Sequence, residues 1–339
     1  MGRAAASVTE TAQSASWTDD ASAPVSVIVA TRNRAMFICD LLDALEAQTL
    51  EGIEIVVVDD ASDDETWDTL AKFAAVSARR VLAIRLAERS GPSRARNIGA
   101  GHGHAPWLAF TDDDCRPRAE WLAALLGAGR DAAIVQGRTA ASPGDRPGPW
   151  HRTIVVDAPS PLYETCNLGV RRDAFLAAGG FPELALLPGP AARGFGEDAA
   201  LGAAVAAAGG RAWAQDAVVE HRWLPGDYTD HLDGLRRLAG FPALASAVPE
   251  VAHALWKQVF LSRRTAVFDA AVVGVALAAS RRRWWPLGAA APYAVTLHRE
   301  ALSRPGAPVA VRMGQLALGD AIGLAALLRG SIRARRPVL

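Results

Sequence analysis

The chain has 339 residues, 50% of them hydrophobic, enough for one enzyme-sized α/β unit with a large core plus an appendage. Lys and Arg total 36 and so do Asp and Glu, so no chain-wide bias toward nucleic acid is expected. The three cysteines, Cys39, Cys115 and Cys166, lie far apart with no CxxC spacing, which argues against a zinc site or a disulfide framework and fits a reducing cytosol.

Residues 1–23 are Ala, Ser and Thr with scattered acids and no hydrophobic period, and they read as a disordered N-terminal tail without the apolar stretch of a secretory signal. After Pro24, residues 25–30 are a buried strand, left by the polar turn Thr31 to Arg34. Ile38, Leu41, Leu42 and Leu45 then recur at helical spacing over 37–47. A second, β-branched strand at 53–58 turns at Asp59, Asp60, Ala61 and Ser62 into a helix at 66–76. Two βα units in succession imply a parallel sheet with right-handed crossovers. Neither strand is followed by G-x-G-x-x-G, which counts against a dinucleotide-binding Rossmann protein. A third strand at 81–86 leads to GPSRARNIGAG at 91–101. That helix start favours phosphate through its free N–H groups, and its Arg94 and Arg96 either add planar donors or pair with surface acids.

Residues 107–111 are a short apolar run that ends in Asp112, Asp113 and Asp114. Such a run reads as a strand in mid-sheet, so the acids sit at its C-terminal edge, where open α/β sheets bind ligands. Adjacent carboxylates repel one another and call for a positive partner; a hard divalent cation that also meets a phosphate is the usual one. A short helix at 120–126, a strand at 132–136, a Pro/Gly-rich loop at 141–150 and a helix at 171–178 closed by Gly179 follow. GFGEDAALGAAVAAAGGR, at 194–211, sets Glu197 and Asp198 in the first turn of an Ala-rich helix, where capping of the dipole alone would also account for them. A last strand at 213–219 runs into Glu220, His221 and Arg222, and a histidine there can ligate a metal as neutral imidazole.

VSVIVATRNR, EIVVVDDASDDET, GPSRARNIG, FTDDDCRP, CNLGVRRDAFLAAGGFPE and FGEDAALGAAVAAAGG, in that order over 24–223, resemble the family 2 glycosyltransferases. The resemblance implies the GT-A fold over residues 24–227: α/β, Rossmann-like, with a mostly parallel central sheet flanked by helices. It also implies a metal-dependent, inverting glycosyltransferase of the hexosyltransferase type. The donor would be a nucleotide-sugar, and the acceptor a hydroxyl of a cell-envelope saccharide, a lipid-linked saccharide or a metabolite. By position in the motifs, Thr31, Arg32 and Asp60 would hold the base, and Gly91 and Arg94 would close over the nucleotide. Asp112 and Asp114 match the DxD pair, with Asp113 between them on the donor side. Asp114 would be a ligand of Mg²⁺ or Mn²⁺, with His221 as a further ligand. Asp198 would be the general base and Glu197 its support. The chemistry runs the same way: charge builds on a departing diphosphate, where a cation stabilises it, and the attacking hydroxyl must lose its proton to a carboxylate on the opposite face. A single base with in-line attack inverts the anomeric centre.

A non-catalytic sugar-nucleotide-binding protein and a nucleotidyltransferase with a related sheet are the alternatives. The second expects a Gly-rich loop after the first strand, where this chain has ATRNRA. DDASDD imitates the DDxxD motif of prenyl-chain synthases, but those acids belong on a helix and these end a β-branched run.

Residues 228–339 read as a basic, apolar, helical C-terminal appendage. From Val251 onward Arg263, Arg264, Arg281, Arg282, Arg283, Arg333, Arg335 and Arg336 meet only Asp269, Glu300 and Asp320. Helices are expected at 231–238 and 251–261. The apolar run at 265–279 is shorter than the roughly 20 residues of a spanning helix. Arg281 to Trp285 is the mixture of cations and indoles preferred at a membrane interface. An apolar stretch at 287–297 is broken by Pro292, and one at 309–328 carries Arg312 and Asp320. The appendage of this cytoplasmic protein is expected either to lie on the inner face of the plasma membrane or to pack on the catalytic domain.

Overall fold

The structure is a computed structural model that describes residues 7–18, 23–145, 147–187 and 194–339. The chain divides into two compact units, the first comprising residues 1–145, 153–185 and 193–223, the second 146–152, 186–192 and 224–339.

The first unit is built on nine strands: β1 (Val8–Gln13), β2 (Val25–Thr31), β3 (Glu54–Asp59), β4 (Arg80–Leu86), β5 (Trp107–Phe110), β6 (Cys115–Pro117), β7 (Ile134–Ala141), β8 (Leu168–Arg171) and β9 (Arg211–His221). They form one sheet in the order β1-β4-β3-β2-β5-β8-β7-β9-β6. β4, β3, β2 and β5 are mutually parallel, because α1 (Ile38–Glu46), α2 (Thr66–Val76) and α3 (Pro92–His102) carry the chain back between them. Beyond β5 the sheet is mixed: β8 is antiparallel to both β5 and β7, β9 runs parallel to β7, and β6 is antiparallel to β9. The expected α/β sheet flanked by helices is present, but its continuous parallel run is confined to β4 through β5, with β7 and β9 the one parallel pair beyond it. The cause is local, since after Phe110 the chain passes through the three acids directly into β6 with no intervening helix.

The apolar runs of β2 and β3 are buried on both faces, and successive residues point to opposite sides. Val25, Val27 and Val29 pack with Ile38, Leu41, Leu42 and Leu45 of α1 on one face. Ile28, Val56, Val58, Phe110, Phe175 and Phe181 pack on the other. α3 lies close on that second face because a Cβ at Gly99 would come within 2.8 Å of Ile28 Cγ2. α4 (Trp121–Ala128), α5 (Arg172–Ala177) and α6 (Glu197–Gly209) complete the layers. Asn167 ties α4 to β7 and β9: its Nδ2 donates to the Arg138 and Ala217 carbonyls at 2.8 Å each, and its Oδ1 accepts from Trp121 Nε1 at 2.8 Å.

The expectation for the N-terminal residues is overturned in part. Residues 8–13, read as part of a disordered tail, form β1, paired antiparallel with β4. An edge strand needs no hydrophobic period: Val8 is 44% exposed, and attachment comes instead from backbone pairing and from buried Trp17. Residues 1–6 and 19–22 of that stretch lie outside the described residues.

The second unit is helical: α7 (Tyr228–Arg236), α8 (Phe241–Ala247), α9 (Pro249–Ala254), α10 (Arg263–Arg281), α11 (Ala291–Ser303) and α12 (Val309–Ala334). Capping boxes at Asp227 and Ser262 start α7 and α10. The helix expected over 251–261 stops at Ala254, where Leu255 turns extended and Lys257 and Gln258 take positive φ of 51° and 61°. Pro292, expected to break a helix, sits in the first turn of α11, where its missing N–H costs nothing. α12 is long and apolar enough to cross a membrane by length and composition alone. Yet Leu316, Gly319, Gly323, Ala326, Leu327 and Gly330 form a buried stripe along it. The stripe packs within the unit: Gly319 and Gly323 face Leu235 and Leu238, and at Gly330 a Cβ would run into the Ala239 carbonyl oxygen.

Candidate active site

β2, β3 and β5 run parallel, so their C-terminal ends open on one edge, and each apolar run stops where polar residues begin. Thr31, Asp60 and Asp112 to Asp114 therefore line one cleft of about 240 Å³, together with Arg32, Arg34, Arg89 and Arg96. The turns after β2 and β3 interlock: the Asn33 N–H donates to Ser62 Oγ, and the Asp63 N–H donates to Asn33 Oδ1, both at 2.9 Å. Arg32 pairs with exposed Asp63 at 2.9 Å, and Arg34 pairs with Asp113 at 3.2 Å. Thr31 Oγ1 is buried in the cleft beside Asp113, whose carboxylate its hydroxyl helps to stabilise.

Asp60 was expected to receive a nucleotide base, and most of its capacity is already engaged. Ser90 Oγ donates to it at 2.9 Å, and the Ser90 and Gly91 N–H groups donate as well, the latter at 2.8 Å. A carboxylate offers about four lone pairs, so one remains for a ligand. The geometry makes Asp60 first a clamp on Gly91, which starts α3 at a φ of 97° that favours glycine.

Arg96 is 8% exposed, and its Nη2 lies 2.6 Å from Asp112 Oδ1. Burial works against its charge, but the fields of Asp112, Asp198 and Glu197 together hold it firmly protonated. Glu197 and Asp198 open α6 directly after Gly196, whose φ is 85°. Burial, reinforced by Glu197, pushes the Asp198 carboxyl up to about 7, with Arg96 pulling the other way. A carboxyl that exchanges its proton near neutrality is suited to general-base work. The guanidinium lies 5.8 Å from the Phe181 ring centroid. Phe181 is in turn pinned to α3 by two bonds of 2.9 Å with the Asn97 amide.

The pairing of β6 with β9 sets Cys115 opposite His221 and so brings Asp114 alongside the imidazole. Asp114 Oδ1 and His221 Nε2 are 3.5 Å apart and both residues are buried. His221 Nδ1 lies 2.8 Å from the Arg222 carbonyl, a contact that orients the ring so that Nε2 faces the carboxylate. A carboxylate oxygen and an imidazole nitrogen facing each other in a buried setting are a donor pair that could hold a cation. Cys115 Sγ is near enough to join, but burial first, and Cys166 beside it, push the thiol well up, so it stays protonated. An oxygen and an imidazole nitrogen without thiolate suit Mg²⁺ or Mn²⁺ better than a softer metal.

The structure thus gathers Thr31, Arg32, Asp60, Asp112, Asp113 and Asp114 in one cleft, with His221 beside Asp114 and Gly91 on Asp60. Glu197 and Asp198 do not line the cleft, but their charges act on Arg96, which does. Arg94 is half-buried and does not line the cleft; Arg96 does. Helical phase carried that signal: Ala95, Gly99 and Ala100 mark the inward face of α3, and Arg96 lies three residues before Gly99, whereas Arg94 does not share that face. Arg34 and Arg89 also line the cleft, and loop arginines carry no comparable periodic signal.

Residues 26–181 match the family Glycosyl transferase family 2. Glycosyltransferase AglE of Haloferax volcanii is 30% identical over 171 residues, 47% of this chain and 56% of that protein. The UDP-Glc:alpha-D-GlcNAc-diphosphoundecaprenol beta-1,3-glucosyltransferase WfaP of Escherichia coli is 32% identical over 90 residues, 26% of this chain and 35% of that protein. The chain thus spans only about a third to just over half the length of these curated relatives. Among solved structures, the mannosyltransferase PcManGT from Pyrobaculum calidifontis, in complex with GDP-Man and Mn²⁺, superposes with a TM-score of 0.52. That match covers 92% of this chain and 88% of that one at 18% identity, a likeness of fold.

Proposed function

From the premise that residues 26–181 belong to glycosyl transferase family 2, we propose that this protein transfers a hexose from a nucleotide-diphosphate donor to an acceptor hydroxyl, with inversion. The observation that carries the reading is the sharing of Arg96. Asp112, at the end of β5, is bonded to the buried Arg96 guanidinium, and Asp198 and Glu197 at the start of α6 lie within its electrostatic reach, which supports reading the donor cleft and a base with a pKa of about 7 as one site.

The roles follow from the charges. Arg32, Arg34, Arg89 and Arg96 supply positive charge to an anionic diphosphate in the cleft. The Thr31 hydroxyl and the free lone pair of Asp60 take the nucleoside. Asp112 holds Arg96, and Arg34 offsets Asp113. Asp198, steadied by Glu197 and Arg96, accepts the proton of the acceptor hydroxyl as its oxygen bonds to the anomeric carbon. The bond from that carbon to the phosphate oxygen breaks, and its electron pair leaves with the nucleoside diphosphate. A Mg²⁺ or Mn²⁺ held by Asp114 and His221 would neutralise charge on the departing diphosphate. The Mn²⁺ and GDP-Man in the structure of similar fold support this choice of donor class and metal. The E. coli relative's lipid-diphosphate acceptor supports a lipid-linked saccharide of the cell envelope, met at the cytoplasmic face of the plasma membrane.

Thermal unfolding with nucleoside diphosphates, each with and without Mn²⁺, tests the site. A ligand that binds only the folded protein raises its midpoint, and Asp114→Ala is expected to remove the Mn²⁺-dependent part of the rise. No rise with any nucleoside diphosphate would end the donor assignment.

A further inference from the structure

The second unit has an exposed surface that transfer chemistry does not require. The last turns of α10 are apolar nearly all round, yet only Ala271 and Gly274 are buried there. Val272, Val273, Val275 and Leu277 are 43%, 57%, 52% and 37% exposed. The surface continues through the connection to α11, where Trp284 is 83% and Trp285 61% exposed, and on to Leu287 and Val295. Between the apolar helix and the indoles stand Arg281, Arg282 and Arg283, all exposed and none in an ion pair among the described residues. Arg264, at the other end of α10, is by contrast held by Asp320 and Glu300.

We propose that the hairpin of α10 and α11 is a membrane-docking surface that rests on an anionic lipid bilayer without crossing it. Large contiguous apolar surface is uncommon on a protein meant to stay in water, and it marks a face that something else covers. Indoles settle at the level of lipid headgroups, and unpaired guanidinium groups beside them meet lipid phosphates. Crossing is excluded by composition. The three arginines sit in the turn that would have to enter the hydrocarbon, and α11 carries His298, Arg299 and Glu300. A second copy of the chain is the poorer occupant, because a two-fold pairing centred on the turn sets three arginines against three with no acid between them. This surface is argued from the second unit alone and holds whether or not the first unit transfers sugars.

Co-sedimentation of the full chain with vesicles tests it. Binding is expected to vesicles containing about one third phosphatidylglycerol, to weaken with salt, and to be slight with phosphatidylcholine alone. Replacing all three arginines (Arg281→Ser, Arg282→Ser, Arg283→Ser) should weaken it by about tenfold or more, and the pair Trp284→Ser, Trp285→Ser should lower it on its own. All five side chains are exposed, so an unchanged thermal midpoint separates lost docking from lost folding. Absence of binding to anionic vesicles would overturn the proposal, as would equal binding by the native chain and the triple arginine variant. A concentration-dependent dimer that the tryptophan variant dissolves, without vesicle binding, would assign the face to a second copy instead.

Discussion

In the first unit Asp59, Asp60, Asp113, Asp114, Arg96, Glu197 and His221 are buried at the C-terminal edge of the strands or beside it, while the apolar side chains fill two cores. In the second, Arg312 is the one buried charged residue among those described, and Val272, Val273, Trp284, Trp285 and Ile332 stand in the solvent. Burying ionisable groups costs stability unless each finds a partner, so a fold that collects several at one edge has given up stability for chemistry. Leaving valine and tryptophan exposed forgoes burial that the same chain achieves elsewhere, which points to recognition of another apolar phase. One unit is polar where it is closed, and the other is apolar where it is open.

The contrast can be broken most sharply at Asp198. Asp198→Asn keeps the shape and removes the proton acceptor, so turnover should fall by about 10³-fold or more while nucleotide affinity stays, as steady-state rates and calorimetry would register. Native-rate turnover in that variant would place the base elsewhere. Next in size is Arg96→Met, which leaves Asp112, Glu197 and Asp198 without their shared cation. Urea unfolding should register a loss of about 3–5 kcal/mol, and a loss below ~1 kcal/mol would mean the acids are already solvated.

In the second unit the largest effect belongs to packing. Gly330→Ala drives a methyl group into the Ala239 carbonyl and should cost about 1–3 kcal/mol, read as a lower thermal midpoint with the first unit's nucleotide binding unchanged. Asn at exposed Val273 and Leu277 should stay within about 0.5 kcal/mol of the native stability, because no core contact is lost.

Acidity sharpens the comparison further: in the first unit burial raises Asp113 and Asp198 to about 7, and in the second it raises Asp269. For Asp198 the folded value lies above the free value of 3.8, so its contribution to stability is complete below 3.8 and is lost as pH rises through about 7. The ligand-free protein should therefore weaken between about pH 4 and 7, and Asp198→Asn should flatten that decline in urea titrations. Catalysis runs the opposite way: kcat should climb through about 7 as the base ionises.

How much of this was written plainly in the sequence follows from what each element relies on. β2, β3 and β5 are largely buried apolar runs, and their polar ends mark the cleft. α6 begins where Glu197 and Asp198 said it would. β1 was invisible because an edge strand held by backbone bonds needs no apolar pattern, and β6 because three residues hold no period. The engagement of Asp60 by Ser90 and Gly91 joins positions about thirty residues apart and could be seen only once the turns were in place. The choice between Arg94 and Arg96 could have been made earlier, from the small residues that give α3 its inward side.

The final residues carry a practical consequence. Beyond α12 the chain doubles back: Ser331 Oγ bonds the Val338 backbone, Val338 is fully buried, and Leu339 exchanges backbone hydrogen bonds with Val259 and Leu261. The Leu339 carbonyl also accepts from Thr265 Oγ1, in the capping box that begins α10. This return segment fastens the base of the hairpin, so an affinity tag placed against Leu339, or a trim of a few residues there, would loosen the helix whose far end bears the arginines and indoles.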